Sequence, residues 1–284
     1  MRIAHLILAH ANPEQVAVLV DRLRHPDADI YIHLDRKSKM QPFAFLADQE
    51  SVFFIRNRVD VRWGTYSCVT CTLNSIREIA AANKAYTTFN LLSGQDLPVK
   101  PIQEFHDFLR EGEHANKAFM HSLNVETEWQ EALQRLSYRD ASYFYSGPFR
   151  YRISRIIDAV FTRKNPAGIR FYGRSQWFTI TMEQAVFTLD FLARNTSLRR
   201  FFAFTWGADE LVFQTVLENS PFKKEVVNDN LRYIDWSEGK SSPKVLNEDD
   251  LPAIQSSGAF FARKFDLKKN PEMSGILPTA LYRS

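Results

Sequence analysis

Cysteine is scarce in this chain, with two in 284 residues. Cys68 and Cys71 stand three apart, a CxxC in letters, but no second ligand pair accompanies them and the context is not thioredoxin-like. They read as small buried hydrophobes in a reducing, cytoplasmic setting. No run reaches the roughly 18–20 apolar residues of a membrane span. The chain opens directly on a strand-like segment, Met1 to Leu6, with no sign of a signal peptide. Charge of one sign is also in short supply. A formal surplus of +3 does not argue for nucleic acid, although it suits a local basic pocket for phosphate. Seven histidines show no ligand spacing such as HxxxH, so no zinc site is expected. Repeats and low-complexity tracts are missing as well.

What is abundant is phenylalanine, at 23 residues, within an otherwise ordinary 45% apolar and 24% charged composition. That length holds one large α/β domain or two small ones. The first 110 residues alternate strand-like and helix-like segments. Strands are expected at Ile3–Ala9, Asp29–Asp35, Val52–Ile55 and Tyr86–Leu92. Helices are expected after Pro13, over Phe43–Leu46, from an N-cap at Ser67, and after Pro101. This order reads as a parallel sheet with right-handed crossovers. Ligands bind beyond the carboxyl ends of such strands. Those ends are polar here: His10 to Asn12, Asp35 to Ser38, and Ser93 to Asp96.

Between about His121 and Gly168 the pattern breaks down into interleaved arginine and aromatics. Nucleic acid, a sugar-binding insert or a helix face would each suit it, and nucleic acid ranks last. Alternation resumes with a strand at Gln176–Thr181 and a helix from Met182 to Arg194. Then comes Thr205-Trp206-Gly207-Ala208-Asp209-Glu210, a tight turn that delivers two carboxylates to a helix start, where negative charge is favoured. One of them could accept a proton from a sugar hydroxyl beside the tryptophan; taken alone, the turn is better explained by an N-cap and a solvated first-turn residue. Asp27-Ala28-Asp29 has the letters of a metal-binding DxD, but precedes its strand, at the wrong end of the sheet, and reads as a solvated turn.

Seven segments, in order, resemble one family: IYIHLDRKS (30–38), WGTYSCVTCTL (63–73), NLLSGQDLPVKP (90–101), FYGRSQWFTIT (171–181), TWGADELVFQTVLENS (205–220), LRYIDWS (231–237) and GAFFARKFD (258–266). The sequence resembles the core-2/I-branching β-1,6-N-acetylglucosaminyltransferase family, which also includes peptide O-xylosyltransferases and bacterial members. The resemblance implies a single GT-A-like α/β domain, with a Rossmann-like nucleotide-binding half (1–120) and an acceptor and catalytic half (121–284). It implies inverting transfer of a sugar, first N-acetylglucosamine and alternatively xylose, from a UDP-sugar to a hydroxyl; a catalytically inactive relative is the other alternative.

By the same resemblance Glu210 is the general base and Asp209 holds its turn. Asp35, Trp63 and Lys264 contact the nucleotide, and Lys240, Lys244 or Arg263 could stand in for a missing second phosphate-binding arginine; His10, at a polar strand end, is read separately as a nucleotide-loop residue. Glu126, of the Glu126-Thr127-Glu128 element, and Trp236 contact the acceptor, with Trp206 beside them. Ser175 and Trp177 line the sugar pocket, although Trp177 serves equally as core. Asp96 reaches the donor sugar or holds its own turn. The lysine and arginine that follow the E-T-E element in branching enzymes have no match, so that role is vacant or passes to Arg135 or Arg139. No cofactor and no obligatory divalent metal are implied, because basic side chains would stabilise the leaving UDP. The acceptor would be a glycan or lipid-linked saccharide, bringing peripheral membrane contact with it, and no nucleic acid partner is implied.

Overall fold

A continuous apolar run, Ile3–Ala9, forms the first strand (β1), almost wholly buried as expected of a strand covered on both faces. The computed structural model describes residues 1–145, 147–160 and 163–276. They form two compact units interleaved along the chain, whereas the expected halves were contiguous. One comprises Met1–Arg56, Ala85–Lys117 and Leu231 onward; the other comprises Asn57–Lys84 and Ala118–Asn230.

In chain order, β1 leads to α1 (Pro13–Arg22), β2 (Ala28–Leu34), β3 (Val52–Phe54), α2 (Ser67–Ala80), β4 (Thr88–Ser93), β5 (Leu97–Pro98) and α3 (Ile102–Arg110). There follow β6 (Ala118–Asn124), α4 (Leu133–Ser137), α5 (Arg150–Val160), β7 (Tyr172–Thr181), α6 (Met182–Arg194), α7 (Thr196–Ala203) and α8 (Val212–Glu218). The chain continues through β8 (Val226–Asn228), β9 (Arg232–Ile234), α9 (Leu251–Ser256) and β10 (Phe261–Arg263).

In the first unit β1 pairs in parallel with β2 and β4, and β2 with β3. This is the parallel α/β sheet that the alternating segments predict. α1 starts with Pro13, whose missing N–H costs nothing there, and buries Val16, Leu19 and Val20. A second, small sheet joins β10 to β5 and β9. In the second unit β6 pairs antiparallel with β7 and parallel with β8. α6 is started by a capping box, in which the Thr181 hydroxyl accepts the Gln184 N–H and the Gln184 side chain accepts the Thr181 N–H.

Three expectations need correction. Ser67 does not cap α2: its hydroxyl is drawn back into the preceding turn, accepting the Arg62 N–H at 2.7 Å. Only Asp27 of the Asp27-Ala28-Asp29 tripeptide is a surface group, paired with Arg110 at 2.6 Å. Asp29 is a buried residue of β2, neutralised by Arg2 at 2.8 Å and accepting a hydrogen bond from the Tyr86 hydroxyl at 2.7 Å. The irregular region expected from His121 to Gly168 contains most of β6, and also α4 and α5.

Candidate active site

In the second unit, the Trp206–Glu210 turn is held by its glycine. Gly207 adopts φ +68°, and its N–H donates to the Gly64 carbonyl at 2.7 Å, joining this loop to the Trp63-Gly64-Thr65 loop. A side chain at Gly207 would meet Arg135 Nη1 at 2.8 Å as well as the strained backbone. Trp63 lies edge-on to Trp206, ring centroids 5.3 Å apart, and is itself 70% exposed. Ala208–Glu210 form a single 3-10 turn; Leu211 (φ −123°) then breaks the geometry before α8 begins. The two carboxylates therefore precede the α-helix instead of occupying its first turn.

Those carboxylates have unequal surroundings. Arg135 Nη1 donates to Glu210 Oε2 at 2.5 Å, and both side chains keep partial access to solvent. The Arg135 guanidinium also lies over the rings of Trp129 (5.0 Å) and Trp206 (4.7 Å), so it is held by aromatic faces on its way to the carboxylate. Asp209 Oδ1 is buried and has no hydrogen-bond partner among the described residues. Burial first, and then the adjacent Glu210 charge, push the Asp209 carboxyl up to about 7. Asp209 is not an N-cap: Gly207 holds that position for the 3-10 turn and Leu211 for α8. The Cys68 thiol is pushed well up by burial and then by Asp209, and both cysteines are free and buried.

Two partners of this cluster give no sequence signal as site residues. Trp129 contributes its ring to Arg135. Arg163, in the gap after α5, donates to the carbonyls of Arg135, Tyr138, Phe201 and Phe204 and to the Thr205 hydroxyl. It thereby ties the end of α4 to the end of α7 and the start of the Glu210 loop. Arg139 is engaged elsewhere, pairing with Asp158 at 3.2 Å, so of the two substitutes Arg135 is the one that meets Glu210.

The other second-unit candidates fall into structural and exposed classes. The Ser175 hydroxyl is buried and shared with the Trp177 N–H and the Asn230 amide. Trp177 is a buried core residue of β7. The Glu126 side chain is exposed, while the Glu128 carboxylate closes the loop onto the Asn124 N–H at 2.8 Å.

In the first unit, a small cleft is lined by Leu8 to Asn12 and by Ser93, Gly94 and Gln95, the carboxyl ends of β1 and β4. Asn12, the last residue of this lining before α1, takes the left-handed conformation at φ 56°. Gln15, which the sequence did not single out, fastens this corner: its amide donates to the Gly94 and Phe265 carbonyls, and its Oε1 accepts the Leu267 N–H. His10 is exposed at this cleft, its carbonyl accepting from Ser38. Asp35 sits buried at the end of β2, accepting the Lys37 N–H at 2.8 Å with the Lys37 ammonium 3.6 Å away.

Of the expected cations, three are paired with carboxylates, the exposed Lys240 with Glu238 at 3.0 Å. Arg263 Nε donates to Asp96 Oδ1 at 2.9 Å, and the other Asp96 oxygen accepts the Ser93 N–H at 2.9 Å. Asp96 is fully buried, so burial raises its pKa against the pull of Arg263; its bonds hold its own turn. Lys244 pairs with Asp250 at 2.6 Å. Lys264 has no carboxylate within ion-pair distance among the described residues, and burial followed by Arg263 lowers its pKa. Trp236 is 51% exposed, beyond β9.

The family model for Core-2/I-branching enzymes matches residues 3–256. Xylosyltransferase 2 of Canis lupus familiaris is 29% identical over 100% of this chain and 34% of its own length. Xylosyltransferase 1 of Rattus norvegicus is 27% identical over 99% of this chain and 36% of its own length. The chain thus spans about a third of the curated relatives it matches. A solved galactosyltransferase, LgtC in complex with donor and acceptor sugar analogs, covers 97% of this chain and 96% of its own at a TM-score of 0.45 and 9% identity. With its family pattern matched from the first strand to the last helix before the closing motif, this chain belongs to the Core-2/I-branching enzyme family.

Proposed function

We propose that the chain transfers a sugar from a UDP-sugar to a hydroxyl of a glycan acceptor, with inversion, and with Glu210 as the general base. The observation that carries this reading is the Glu210 carboxylate itself: partly solvent-accessible, beside Trp206, and oriented by Arg135. An in-line displacement at an anomeric carbon needs a base for the incoming hydroxyl and positive charge for the departing diphosphate. Lys264 is the best candidate for that charge, since Arg263 and Lys244 are each engaged by a carboxylate. The strand-end cleft around His10–Asn12 and Gly94 suits the nucleotide by the general rule for parallel sheets.

Xylose replaces N-acetylglucosamine as the first donor to test, because the relatives that match the whole chain are named xylosyltransferases. The experiment is product analysis after incubation with UDP-xylose or UDP-N-acetylglucosamine and soluble glycan acceptors, with EDTA or with Mn²⁺. Titrations of UDP accompany it for the wild type and for Glu210→Gln. Glu210→Gln is expected to bind UDP as the wild type does and to lose about 10²–10⁴-fold in transfer. Transfer by that variant at the wild-type rate would remove Glu210 from the mechanism. Activity only with Mn²⁺ would remove the metal-independent part of the reading.

A further inference from the structure

Six of the ten exposed large apolar side chains among the described residues fall between Leu133 and Ile156. Exposed phenylalanine and isoleucine are costly in water unless a partner covers them. Phe144 is 57% exposed, Phe149 54% and Ile156 62%. The same part of the chain concentrates positive charge. From residue 133 to residue 170 there are eight arginines and lysines against two aspartates, a surplus of six in a chain whose total surplus is three.

The two features meet on α5. Its inner face is fixed: the Ser154 hydroxyl accepts the Ala141 N–H at 3.0 Å, and Asp158 accepts from Arg139. Residues 149, 152 and 156 recur at helical spacing on another face. There Arg152 lies 5.9 Å from the Phe149 ring, and Arg152, Arg155 and Ile156 are exposed. Neither arginine has an ion-pair partner among the described residues.

We infer that this face of α5, with Phe149 immediately before it, docks on an anionic phospholipid surface. Apolar side chains would enter the boundary between headgroups and acyl chains, while Arg152 and Arg155 meet the phosphates. Charge complementarity selects an anionic surface. Ile156 then favours lipid over nucleic acid, because single-stranded nucleic acid uses aromatic rings and cations, whereas an aliphatic side chain gives a base no stacking surface. The contact belongs to the protein's own surface and does not depend on what the acceptor is.

The test is co-sedimentation of the full chain with vesicles of phosphatidylcholine alone or with 30% phosphatidylglycerol, in 100 mM NaCl. Binding is expected on the anionic vesicles only. Arg152→Gln with Arg155→Gln should weaken it about thirtyfold, at roughly fivefold per charge. Phe149→Ser with Ile156→Ser should weaken it about tenfold or more. UDP binding and thermal melts of both double variants should match the wild type. Should either pair fail to fold, loss of wild-type binding in 500 mM NaCl replaces it for the charge contribution. Equal binding to both vesicle types, or binding indifferent to both variant pairs and to salt, would overturn the inference. So would a concentration-dependent dimer dissolved by Phe149→Ser with Ile156→Ser, which would make this face a self-interface. Capture of a single-stranded oligonucleotide in place of vesicles would overturn it too.

Discussion

Arg135 and Glu210, 75 positions apart, form a 2.5 Å charge-assisted hydrogen bond. The pair is partly exposed, so its value to stability is small, well under the strength that Coulomb's law gives at that distance. Its value lies in orientation: a planar guanidinium resting on two indole faces allows the carboxylate few alternatives. Arg135→Met is therefore expected to lower kcat by about a hundredfold with little change in UDP affinity, since a misplaced base costs roughly that much. Arg135→Lys should recover part of the loss. A kcat within twofold of wild type for Arg135→Met would show that Glu210 needs no such partner.

Asp209 makes the stability of the fold depend on pH. Its folded pKa, about 7, lies above the ordinary aspartate value of 3.8. Between those values the folded protein holds a proton that the unfolded chain has released, so stability falls as pH rises from about 4 through 7. Asp209→Asn imitates the protonated form. It should leave stability unchanged near pH 4 and raise it by on the order of 1–2 kcal/mol at pH 8. That figure discounts the full linkage value, because the charge is shared with Glu210. Urea unfolding of both proteins at pH 5, 6.5 and 8 measures the difference, and a constant difference across that range would contradict the assignment.

How much of this could be read in advance depends on sequence separation. β1, α1, β2 and β4 announce themselves through short-range periodicity and turn residues, and the Thr181–Gln184 capping box is a four-residue signal. The tight turn at Gly207 that presents Asp209 and Glu210 was legible in its letters. The geometry around it was not. Arg135 and Trp129 stand in a stretch whose density of arginine and aromatics obscures the helical period, and nothing local ties them to Glu210. Asp27 and Asp29 fail for a related reason. Two carboxylates one residue apart look alike in sequence, yet the start of β2 between them sends one to the surface and buries the other against Arg2 and Tyr86. Asp96 shows the limit of motif transfer, since its letters fit a sugar contact equally well until Arg263 and the Ser93 N–H are seen to occupy it.

Gly173 supports the Glu210 turn by being small. A Cβ there would stand 2.2 Å from the Glu210 carbonyl oxygen and 2.8 Å from a Leu211 methyl, and the first of these is backbone that cannot swing away. Gly173→Ala should cost about 1–3 kcal/mol of stability by overpacking, and it should reduce transfer beyond what the folded fraction explains. A denaturation midpoint equal to that of the wild type would mean that the β7–loop contact is looser than this spacing requires.

Arg163 is the residue whose loss should distinguish positioning from simple stability. Its guanidinium gives its N–H groups to four backbone carbonyls and one hydroxyl, and burial, with Arg139 nearby, pushes its pKa down to about 10. No carboxylate lies within ion-pair distance of it among the described residues, so its bonds to the ends of α4 and α7 are what hold the charge there. Arg163→Lys keeps the charge and loses the fork, leaving several of those carbonyls without donors, at about 1–3 kcal/mol. Because the same carbonyls belong to the segments that carry Arg135 and lead to Glu210, kcat should fall tenfold or more at a temperature where the variant remains folded. Its UDP affinity and KM for donor should stay near the wild-type values. Steady-state kinetics beside a melting curve reads both effects: a stability loss with unchanged kcat would make Arg163 a structural clamp alone, and a matched fall in donor affinity would place its influence outside the Glu210 turn.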